Sequence, residues 1–472
     1  MSAGSASMPA TNAADARLRI KRLDLAAAPS DPSVMAAIER LVHRGASPDP
    51  AIRAGVRIIL EAVRTGGDDA VRAANERYGG GAADGDLTIE APALARARDA
   101  LPPTSRAALE AAIAAVGAFA RPQRPATSRV ETVPGVEIER RWIPLASVGA
   151  YVPGGTAPYP SSLVMTVVPA RIAGVERIVV ATPAGPDGLV DPVLLGAAGL
   201  LGVDVVVVAG GAQAVAALAF GLPASGLAPV DRIVGPGNAW VTAAKLELSG
   251  DVGIDLPAGP SEGLVLADGA ADPRLVAADL ITQAEHGPDS PALLVTTDAG
   301  LRDAVEAEIS RLLAVQPRRA ILERSLADHG RLVLAPDLDA AIDFVNAYAP
   351  EHLSVEVDDP ILEATVARIR SAGSVFVGRW APESAGDYAT GANHVLPTGG
   401  LARSCGALSV ETFGRYIQVQ RIDRSGLLRL RPTIAVLAAV EGLAAHGAAV
   451  EARFAAPAEP ATPPSAAEEA RS

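Results

Sequence analysis

Residues 203–209, Val203-Asp-Val-Val-Val-Val-Ala209, form a short run of β-branched side chains between two helical stretches. Two similar runs precede it, Ser147-Val-Gly-Ala-Tyr-Val152 and Arg177-Ile-Val-Val-Ala-Thr182. Continuous apolar runs that alternate with helices are typical of strands buried on both faces of a parallel sheet. This part of the chain therefore predicts an α/β unit.

The same pattern returns in the second half of the chain. Three more runs alternate with helical stretches: Leu264-Val-Leu-Ala-Asp268, Leu293-Leu-Val-Thr-Thr297 and Ser374-Val-Phe-Val-Gly378. Residues 31–125 have the spacing of helices, and one clear helix is expected near residues 433–446. The predicted fold class is α/β, with two Rossmann-like parallel-sheet domains and small N- and C-terminal appendages.

We predict the following division of the chain. Residues 1–39 form an N-terminal arm, and residues 40–150 with 264–408 form a first α/β domain. Residues 151–263 form a second α/β domain, and residues 409–455 form a small C-terminal helical domain. Segments 1–16 and 456–472 are rich in Ala, Ser, Pro, Thr and Glu, so both are predicted to be disordered.

Composition limits the partners and the compartment. The 472 residues carry a net charge of −13 without a basic block, so a nucleic-acid partner is not expected. The single cysteine, Cys405, excludes internal disulfides and thiolate-rich zinc sites, and it fits a reducing compartment such as the cytoplasm. Of the 41 basic residues, only Lys21 and Lys245 are lysines, which we interpret as compositional bias.

Neither a signal peptide nor a membrane span is expected. The N-terminus lacks a charged region followed by an apolar one. The uncharged runs 142–170 and 205–230 are interrupted by proline or glycine, so neither offers about 20 unbroken apolar residues.

Histidine is scarce, and four of the six histidines lie in short polar clusters within apolar sequence. The clusters are Gln283-x-x-His286, Glu351-His352, Asp387 with His394, and Glu441 with His446. Each pairs an imidazole with a carboxylate or amide oxygen, which suits a zinc-type metal and also general acid–base catalysis. Because the clusters are far apart in sequence, we expect an active site that is assembled by folding.

Gln283 and His286 fall at the end of a predicted helix. Asp272 is a suitable N-cap before Pro273, and Gly287-Pro288 would end the helix. Residues three apart share one helix face, so the two side chains could bind one ligand. Taken alone, however, the pair is more typical of an ordinary polar helix end.

Glu351 and His352 follow a helix that Pro350 ends, and they precede the predicted strand Leu353-Ser-Val-Glu-Val357. A carboxylate that activates water beside an imidazole base is a reasonable catalytic pair. The alternative is an exposed turn, because an isolated Glu-His pair is not diagnostic.

The other two clusters also leave alternatives open. Asp387 and His394 lie in a predicted glycine-rich loop after a buried strand, where α/β proteins place ligands, although the segment could be a simple turn. Glu441 and His446 are about 140° apart around a helix, so they would not share a face. An ordinary amphipathic helix with a terminal histidine would explain that pair.

Two glycine-rich segments match known motifs only in part. Gly259-Pro-Ser261-Glu-Gly263 fits the Gly-x-Ser-x-Gly pattern but leads into a predicted strand, which argues against a serine hydrolase. Gly235-Pro-Gly237-Asn238 follows a strand-like run, but the chain has no Gly-x-Gly-x-x-Gly motif. The motifs alone therefore do not support a dinucleotide site.

Taken in order, segments from about Val148 to His446 resemble the histidinol dehydrogenase family. The matching stretches are Tyr151-Val-Pro-Gly-Gly-Thr-Ala157, Gly210-Gly-Ala-Gln213-Ala214, Val234-Gly-Pro-Gly-Asn238, Asp255 to Glu262, Gln283-Ala-Glu-His286-Gly287, Ala349-Pro-Glu351-His352-Leu353, and Glu383-Ser-Ala-Gly-Asp387 through Leu396-Pro-Thr398. Such a set in fixed order is specific, although no single member is. Gly263 departs from the pattern, which has a larger aliphatic residue there.

The resemblance implies an enzyme that oxidises L-histidinol through L-histidinaldehyde to L-histidine with two NAD⁺, in the last steps of L-histidine biosynthesis. It implies one zinc ion per subunit, with the ligands Gln283, His286, Asp387 and His446. Glu351 and His352 would be the catalytic pair, and Tyr151, Gln213 and Asn238 would contact NAD. The implied substrate contacts are Ser261, Gln283, His286, His352, Asp387, His394, Glu441 and His446.

The resemblance also implies how the site is shared between domains and subunits. The first α/β domain would carry most of the metal and catalytic site, and the second would carry the NAD site. The enzyme would be a homodimer in which the C-terminal arm completes the neighbour's active site.

Two other functions use similar residues. A zinc hydrolase of the amidohydrolase type would also use His, Asp, Gln and water, but it would not depend on NAD. A metal-dependent small-molecule binding protein would bind ligand without turnover.

Overall fold

The computed structural model describes residues 18–45, 48–154 and 157–455. Contacts divide the described residues into two units, one formed by the part of the chain up to residue 124 with 144–414, and the other by 125–143 with the part from 415 to 455. The predicted disordered segments 1–16 and 456–472 lie outside the described residues.

The strands, in chain order, are β1 (Lys21–Asp24), β2 (Thr88–Glu90), β3 (Ser128–Val133), β4 (Val136–Pro144), β5 (Ser147–Tyr151), β6 (Arg177–Thr182), β7 (Val205–Val208), β8 (Arg232–Val234), β9 (Gly253–Ile254), β10 (Gly263–Ala267), β11 (Ala292–Thr296), β12 (Arg331–Leu334), β13 (His352–Glu356), β14 (Ser374–Val377) and β15 (Gly414–Ile422). The α-helices are α1 (Pro32–Val42), α2 (Pro50–Tyr78), α3 (Ala91–Asp99), α4 (Pro103–Ala120), α5 (Pro160–Ala173), α6 (Pro192–Leu200), α7 (Gly211–Phe220), α8 (Ala239–Glu247), α9 (Pro273–Glu285), α10 (Ala299–Leu313), α11 (Arg319–Asp328), α12 (Leu338–Tyr348), α13 (Asp359–Val366), α14 (Glu383–Tyr388), α15 (Arg424–Val440) and α16 (Ala444–Glu451). Short 3-10 helices cover Leu25–Ala27, Arg121–Gln123, Leu401–Arg403 and Val410–Phe413.

The first sheet has the strand order β1-β12-β11-β10-β13-β14, and all of its neighbouring pairs are parallel. Its central strands β10 and β11 are largely apolar and buried along their whole length, as the sequence predicted, whereas the edge strand β1 exposes Lys21, Arg22 and Asp24. One face packs against α9, α10 and α11, and the other packs against α1, α12 and α13. Burial on both faces explains why the sequences of β10 and β11 are continuous apolar runs.

The second sheet has the order β2-β7-β6-β5-β8-β9, in which β2 is antiparallel and the other strands are parallel. Helix α2 contributes Val56, Ile59 and Val63 to the core of this sheet. One parallel and one mostly parallel sheet, both covered by helices, establish the predicted α/β class.

The sheets divide the chain differently from the predicted domains. Residues 40–150 were assigned to the first α/β domain, yet β2 and α2 belong to the second sheet. Strand β1, predicted to lie in an N-terminal arm, forms an edge of the first sheet. A helical or apolar pattern shows that a segment has a face to bury, but it does not show which sheet that face will cover.

The second unit contains a three-stranded sheet in the order β15-β4-β3, together with α15 and α16. The predicted C-terminal domain, 409–455, is therefore not purely helical. Buried Glu139 forms ion pairs with Arg129, Arg141 and Arg421 at 3.2, 2.6 and 2.9 Å. Hydrogen bonds from Arg141 and Arg421 lower the pKa of Glu139 to about 2, so this carboxylate stays charged at neutral pH.

The single helix expected near residues 433–446 is two helices. Helix α15 ends at Val440 and α16 begins at Ala444. Gly442 lies between them with a φ of 71°, a left-handed conformation that ends helices and suits glycine. Glu441 and His446 are therefore on different elements, and the predicted angle between them on one helix was wrong.

None of the helices in the described ranges combines the length and apolar character that crossing a bilayer requires.

Candidate active site

A cavity of about 470 Å³ brings together most of the predicted site residues. It lies where β10 and β13 of the first sheet begin and where β5 and β8 of the second sheet end. Its wall includes Tyr151, Asn238, Ser261, His286, Glu351, His352, Asp387 and His394. Gln283 adjoins this wall, since its Nε2 donates a hydrogen bond to Ser261 Oγ at 3.3 Å.

Helix α9 positions Gln283 and His286, and its predicted start is confirmed. The Asp272 side chain accepts a hydrogen bond from the backbone N–H of Arg274 at 3.0 Å, and Pro273 is the first helical residue. The helix therefore ends with Gln283 in its last turn and His286 as its C-cap. Both side chains lie at the beginning of the first sheet's strands, beside Glu351 and His352.

Three side chains form a candidate metal site. His286 Nε2 lies 3.4 Å from Glu383 Oε1 and 3.9 Å from Asp387 Oδ2. One ligand atom from each residue lies within 4.8 Å of the others. Gln283 Oε1 is buried and has no hydrogen-bond partner among the described residues. Imidazole, carboxylate and amide donors of this kind fit a zinc ion.

The two carboxylates favour positive charge at this site. Burial acts to lower the pKa of His286, but the hydrogen bond and charge of Glu383, together with the charge of Asp387, raise it above its ordinary value. Burial also raises the pKa of Glu383 to about 7. A divalent cation would satisfy the same attraction that here favours a proton on His286.

Helix α14 corrects one prediction and adds one residue. The segment around Asp387 was predicted as a glycine-rich loop, but residues Glu383–Tyr388 form a short helix. Gly386 allows this helix to approach the first sheet, because a Cβ there would lie 2.6 Å from the Phe376 ring. Glu383 was not among the predicted site residues. Its spacing of four residues from Asp387, as on one helix face, was the signal that could have identified it.

Glu351 and His352 are both buried beside the candidate metal site. His352 Nδ1 lies 3.8 Å from Glu351 Oε2 and 3.8 Å from Glu383 Oε1. Neither ring nitrogen of His352 has a hydrogen-bond partner among the described residues. Burial lowers the pKa of His352 to about 3, with smaller effects from His286 and His394, so the ring is neutral at neutral pH. An unpaired neutral imidazole on the cavity wall can accept a proton from a bound molecule.

Glu351 has a different environment. Its Oε2 accepts a hydrogen bond from the backbone N–H of Glu262 at 2.9 Å. Burial nevertheless raises its pKa well above the ordinary value. A carboxylate with a raised pKa is a stronger base than a surface carboxylate, which suits the activation of water.

His394 is held from both sides. Its Nδ1 lies 3.0 Å from the backbone oxygen of Asp387, and its Nε2 lies 3.3 Å from Ser162 Oγ. Burial lowers its pKa, which keeps the ring neutral. Ser162 was not predicted, and no local pattern in the sequence distinguishes it.

Gly263 makes room for Gln283. It pairs with His352 across the first sheet, and a Cβ at position 263 would lie 2.8 Å from Cγ and Oε1 of Gln283. Glycine at position 263, where the family pattern has a larger aliphatic residue, therefore leaves the space that the Gln283 side chain occupies in this chain.

The predicted cofactor residues lie around two adjoining cavities. Tyr151 and Asn238 line the 470 Å³ cavity and also a second cavity of about 450 Å³, which Gln213 lines as well. The Tyr151 hydroxyl accepts a hydrogen bond from the backbone N–H of Gly211 at 3.3 Å. Asn238 caps α8 through its Oδ1, which accepts from the backbone N–H groups of Trp240 and Val241.

Gln213 is held by a residue that the sequence did not indicate. Its Nε2 donates to Asn75 Oδ1 at 3.3 Å, and Asn75 Nδ2 donates to the backbone oxygen of Val208 at 3.0 Å. The amide of Asn75, on α2, therefore fixes the direction of the Gln213 side chain. The remaining predicted residues, Glu441 and His446, belong to the second unit, where both are exposed.

A buried acid on the helix that carries Gln283 predicts a pH effect on stability. Burial raises the pKa of Asp279 to about 6, although Ser354 donates a hydrogen bond to it at 3.4 Å. A raised pKa favours the protonated acid in the folded protein, so its contribution to stability is full below about pH 4 and is lost as the pH rises to about 6.

Asp279→Asn should therefore increase the free energy of unfolding at pH 8 by about 1–3 kcal/mol, and the gain should disappear near pH 4. Urea unfolding at both pH values measures this. Asp343→Asn, at an exposed position on α12, is the control. An equal effect of Asp279→Asn at both pH values would contradict the prediction.

Comparisons with known proteins identify the family. Residues 42–454 match the family model described as histidinol dehydrogenase. The chain is 45% identical over 420 residues to histidinol dehydrogenase from Parasynechococcus marenigrum (strain WH8102), covering 89% of this chain and 95% of that protein. It is 47% identical to that of Halobacterium salinarum (strain ATCC 700922 / JCM 11081 / NRC-1) over 419 residues, 88% of this chain and 96% of the relative. A crystal structure of histidinol dehydrogenase from Elizabethkingia anophelis matches with a TM-score of 0.84 and 34% identity, covering 92% of this chain and 98% of that one. The chain therefore belongs to the histidinol dehydrogenase family and is an oxidoreductase.

Proposed function

We propose that this protein oxidises L-histidinol through L-histidinaldehyde to L-histidine, with two NAD⁺, as the last steps of L-histidine biosynthesis. The proposal is supported by one cavity that combines a base and a candidate metal site with access to a possible cofactor cavity. The neutral ring of His352, which has no hydrogen-bond partner in the described part of the chain, lines this cavity beside the site formed by His286, Glu383 and Asp387. Tyr151 and Asn238 connect it to a second cavity suited to a cofactor.

We propose that one zinc ion binds per subunit to Gln283, His286 and Asp387, with His446 from the C-terminal arm of a neighbouring subunit. The orphaned Gln283 Oε1 and the charges of Glu383 and Asp387 support this choice. Bound zinc would supply positive charge that anchors the imidazole and amine of histidinol. Glu383 lies close enough to His286 either to join the ligands or to hold His286 in place.

The first oxidation requires a base for the hydroxyl proton. We propose that His352 accepts this proton while a hydride passes from the alcohol carbon to NAD⁺. Its ring is neutral and free to accept, and the carboxylates of Glu351 and Glu383 are near enough to stabilise the imidazolium that forms. Ser261, His394 and Glu441 would contact the substrate, and together these contacts would orient the reacting carbon toward the cofactor.

The second oxidation requires water. We propose that Glu351 removes a proton from the water molecule that adds to the aldehyde. The resulting hydrate then loses a hydride to the second NAD⁺ and a hydroxyl proton to solvent, which gives the acid. The raised pKa of Glu351, which burial causes, supports this role, because it makes the carboxylate a stronger base than an ordinary one. Tyr151, Gln213 and Asn238, which line the two adjoining cavities, would hold NAD, and bound NAD would supply the hydride acceptor for both oxidations.

The direct test is to mix protein, zinc, histidinol and NAD⁺ and to measure NADH by absorbance. We expect two NADH for each histidinol and one for each histidinaldehyde. A zinc hydrolase of the amidohydrolase type would form no NADH, and a metal-dependent binding protein would bind histidinol without turnover. Either result would overturn the proposal.

We also propose that the enzyme is a cytoplasmic homodimer with shared active sites. The exposed positions of Glu441 and His446 are compatible with contact to another subunit. A two-fold dimer would then contain two equivalent sites, each built from both chains.

Mixed dimers of His446→Ala and Glu351→Gln subunits test the shared site. If sites are shared, one site per heterodimer contains both intact residues, so about half of the normal activity should return. If each site is built within one chain, every site keeps one defect and no activity returns. Steady-state NADH formation by purified heterodimers carrying two different tags distinguishes these results.

A further inference from the structure

The segment that joins the two sheets also carries part of the proposed substrate site. It runs from Asp255, after β9 of the second sheet, to Glu262, before β10 of the first sheet. Ser261 lies near its end, on the wall of the active-site cavity. We call residues 255–262 the connecting segment. We call residues 235–238, which include Asn238, the cofactor loop. Any group that holds the connecting segment against the cofactor loop sets the distance between the proposed substrate site and the proposed NAD site.

Lys245 on α8 is such a group. Its Nζ donates hydrogen bonds to the backbone oxygens of Gly235 and Leu256, both at 3.0 Å, and it forms an ion pair with Asp255. Both members of the ion pair are buried, with side-chain exposures of 2% and 1%. The other carboxylate oxygen of Asp255 accepts from the backbone N–H of Gly235 at 2.8 Å. One ammonium group therefore binds the cofactor loop and the connecting segment together.

Thr242 adds a second tie from the same helix. It lies three residues before Lys245, so the two side chains share one face of α8, and both are buried. Its hydroxyl donates a hydrogen bond to the backbone oxygen of Ala258, in the middle of the connecting segment. Asn238 caps the first turn of the same helix. Helix α8 thus joins a proposed cofactor contact to the segment that carries a proposed substrate contact.

The cofactor loop has little freedom to compensate for a lost tie. Gly235 has a φ of 107°, and a Cβ there would lie 2.2 Å from the backbone oxygen of Tyr151. The loop therefore packs directly on β5, and a shift of it would also displace Tyr151.

The chemistry of the site selects lysine. An ammonium group has three N–H donors, and the site offers three acceptors, from Gly235, Leu256 and Asp255. The planar guanidinium of arginine is larger and has five donors, two of which would be buried without a partner. Among the 41 basic residues of this chain, one of only two lysines occupies this position, whereas arginine is used almost everywhere else.

We propose that Lys245, assisted by Thr242, is a positioning residue that holds the cofactor loop and the connecting segment in fixed relative positions, and that arginine cannot replace it. This inference rests on the proposed function, because the two loops are taken to contact NAD and histidinol. Loss of the tie should weaken the binding of both ligands and slow turnover, while the fold persists once the buried charges are balanced.

The test uses Lys245→Met combined with Asp255→Asn in the zinc-loaded protein. Removing both charges avoids an unpaired buried carboxylate, and the asparagine oxygen can still accept from Gly235. Circular dichroism should confirm folding, while NADH fluorescence and calorimetry with histidinol give the two dissociation constants. We expect both dissociation constants to rise about 10-fold and kcat to fall about 10–100-fold. Lys245→Arg should be similarly impaired, and Lys21→Arg, at the other lysine, should behave as wild type.

Thr242→Val keeps the test decisive if the Lys245 variants do not fold. It removes only the tie to Ala258, so the dissociation constant of histidinol should rise several-fold, whereas that of NADH should change less. Wild-type affinities and turnover in a folded Lys245 variant would overturn the proposal, and so would wild-type histidinol binding by Thr242→Val. Failure of the wild-type protein to bind either ligand would instead contradict the proposed function.

Discussion

His352→Asn is expected to lower kcat for histidinol oxidation by about 10²–10⁴-fold, the usual contribution of an acid–base group. Asparagine occupies a similar position but cannot accept the hydroxyl proton. Burial holds the pKa of His352 at about 3, so the wild-type ring is already neutral over the working pH range. The loss of kcat should therefore be about the same at every pH near neutrality. The wild-type pH profile should show no step near the ordinary pKa of histidine that the variant lacks.

Glu351→Gln should give a different pattern from His352→Asn. Its loss should be greatest when histidinaldehyde is the substrate, because only the second oxidation needs water. Single-turnover measurements with histidinol and with histidinaldehyde separate the two steps. His329→Asn, at an exposed histidine, is the control for the substitution itself. Near-normal turnover in both active-site variants would remove the assignment of Glu351 and His352.

Removal of zinc is expected to abolish activity, and added zinc should restore it. The ligands available to this chain are imidazole, carboxylate and amide, so metal affinity should be moderate and sensitive to pH. Glu383 and Asp387 raise the pKa of His286, and a protonated His286 cannot bind metal. Affinity should therefore decline as the pH falls through the raised pKa of His286, starting at a higher pH than for an unperturbed histidine.

The amount of bound zinc gives a measurement that does not depend on turnover. Elemental analysis after dialysis against a chelator, at several pH values, should show less zinc in Asp387→Asn than in the wild type. Glu383→Gln should also lose zinc, because it removes a charge 3.4 Å from His286 Nε2. Asp289→Asn, which also lies on the cavity wall, is the matched control. Full activity in a protein verified to be free of metal would refute the metal requirement.

Local patterns in the sequence were sufficient to predict several strands, one helix start and many residues of the candidate active site. The apolar runs 177–182 and 264–268 each contain a strand, because burial on both faces of a parallel sheet requires continuous apolar residues. The run 374–378 also contains a strand, although this one lies at the edge of its sheet and is only partly buried. Asp272 and Pro273 marked the start of α9, since caps satisfy the first backbone N–H groups of a helix. The ordered set of polar motifs indicated the family and most of the residues on the cavity wall.

Other features depend on contacts between residues that are distant in sequence. Helix α2 covers the second sheet because its apolar face fits that core, which its own periodicity does not reveal. Glu383 joins His286 only after α14 has packed against the first sheet, and Gly386 permits that approach. Likewise, the sequence alone led us to interpret the scarcity of lysine as compositional bias. Only the folded structure shows that the Lys245 ammonium group lies among three oxygen acceptors. Periodicity and caps are set by neighbours along the chain, whereas pKa values, close approaches and buried ion pairs arise only when tertiary packing excludes water and brings separate segments together.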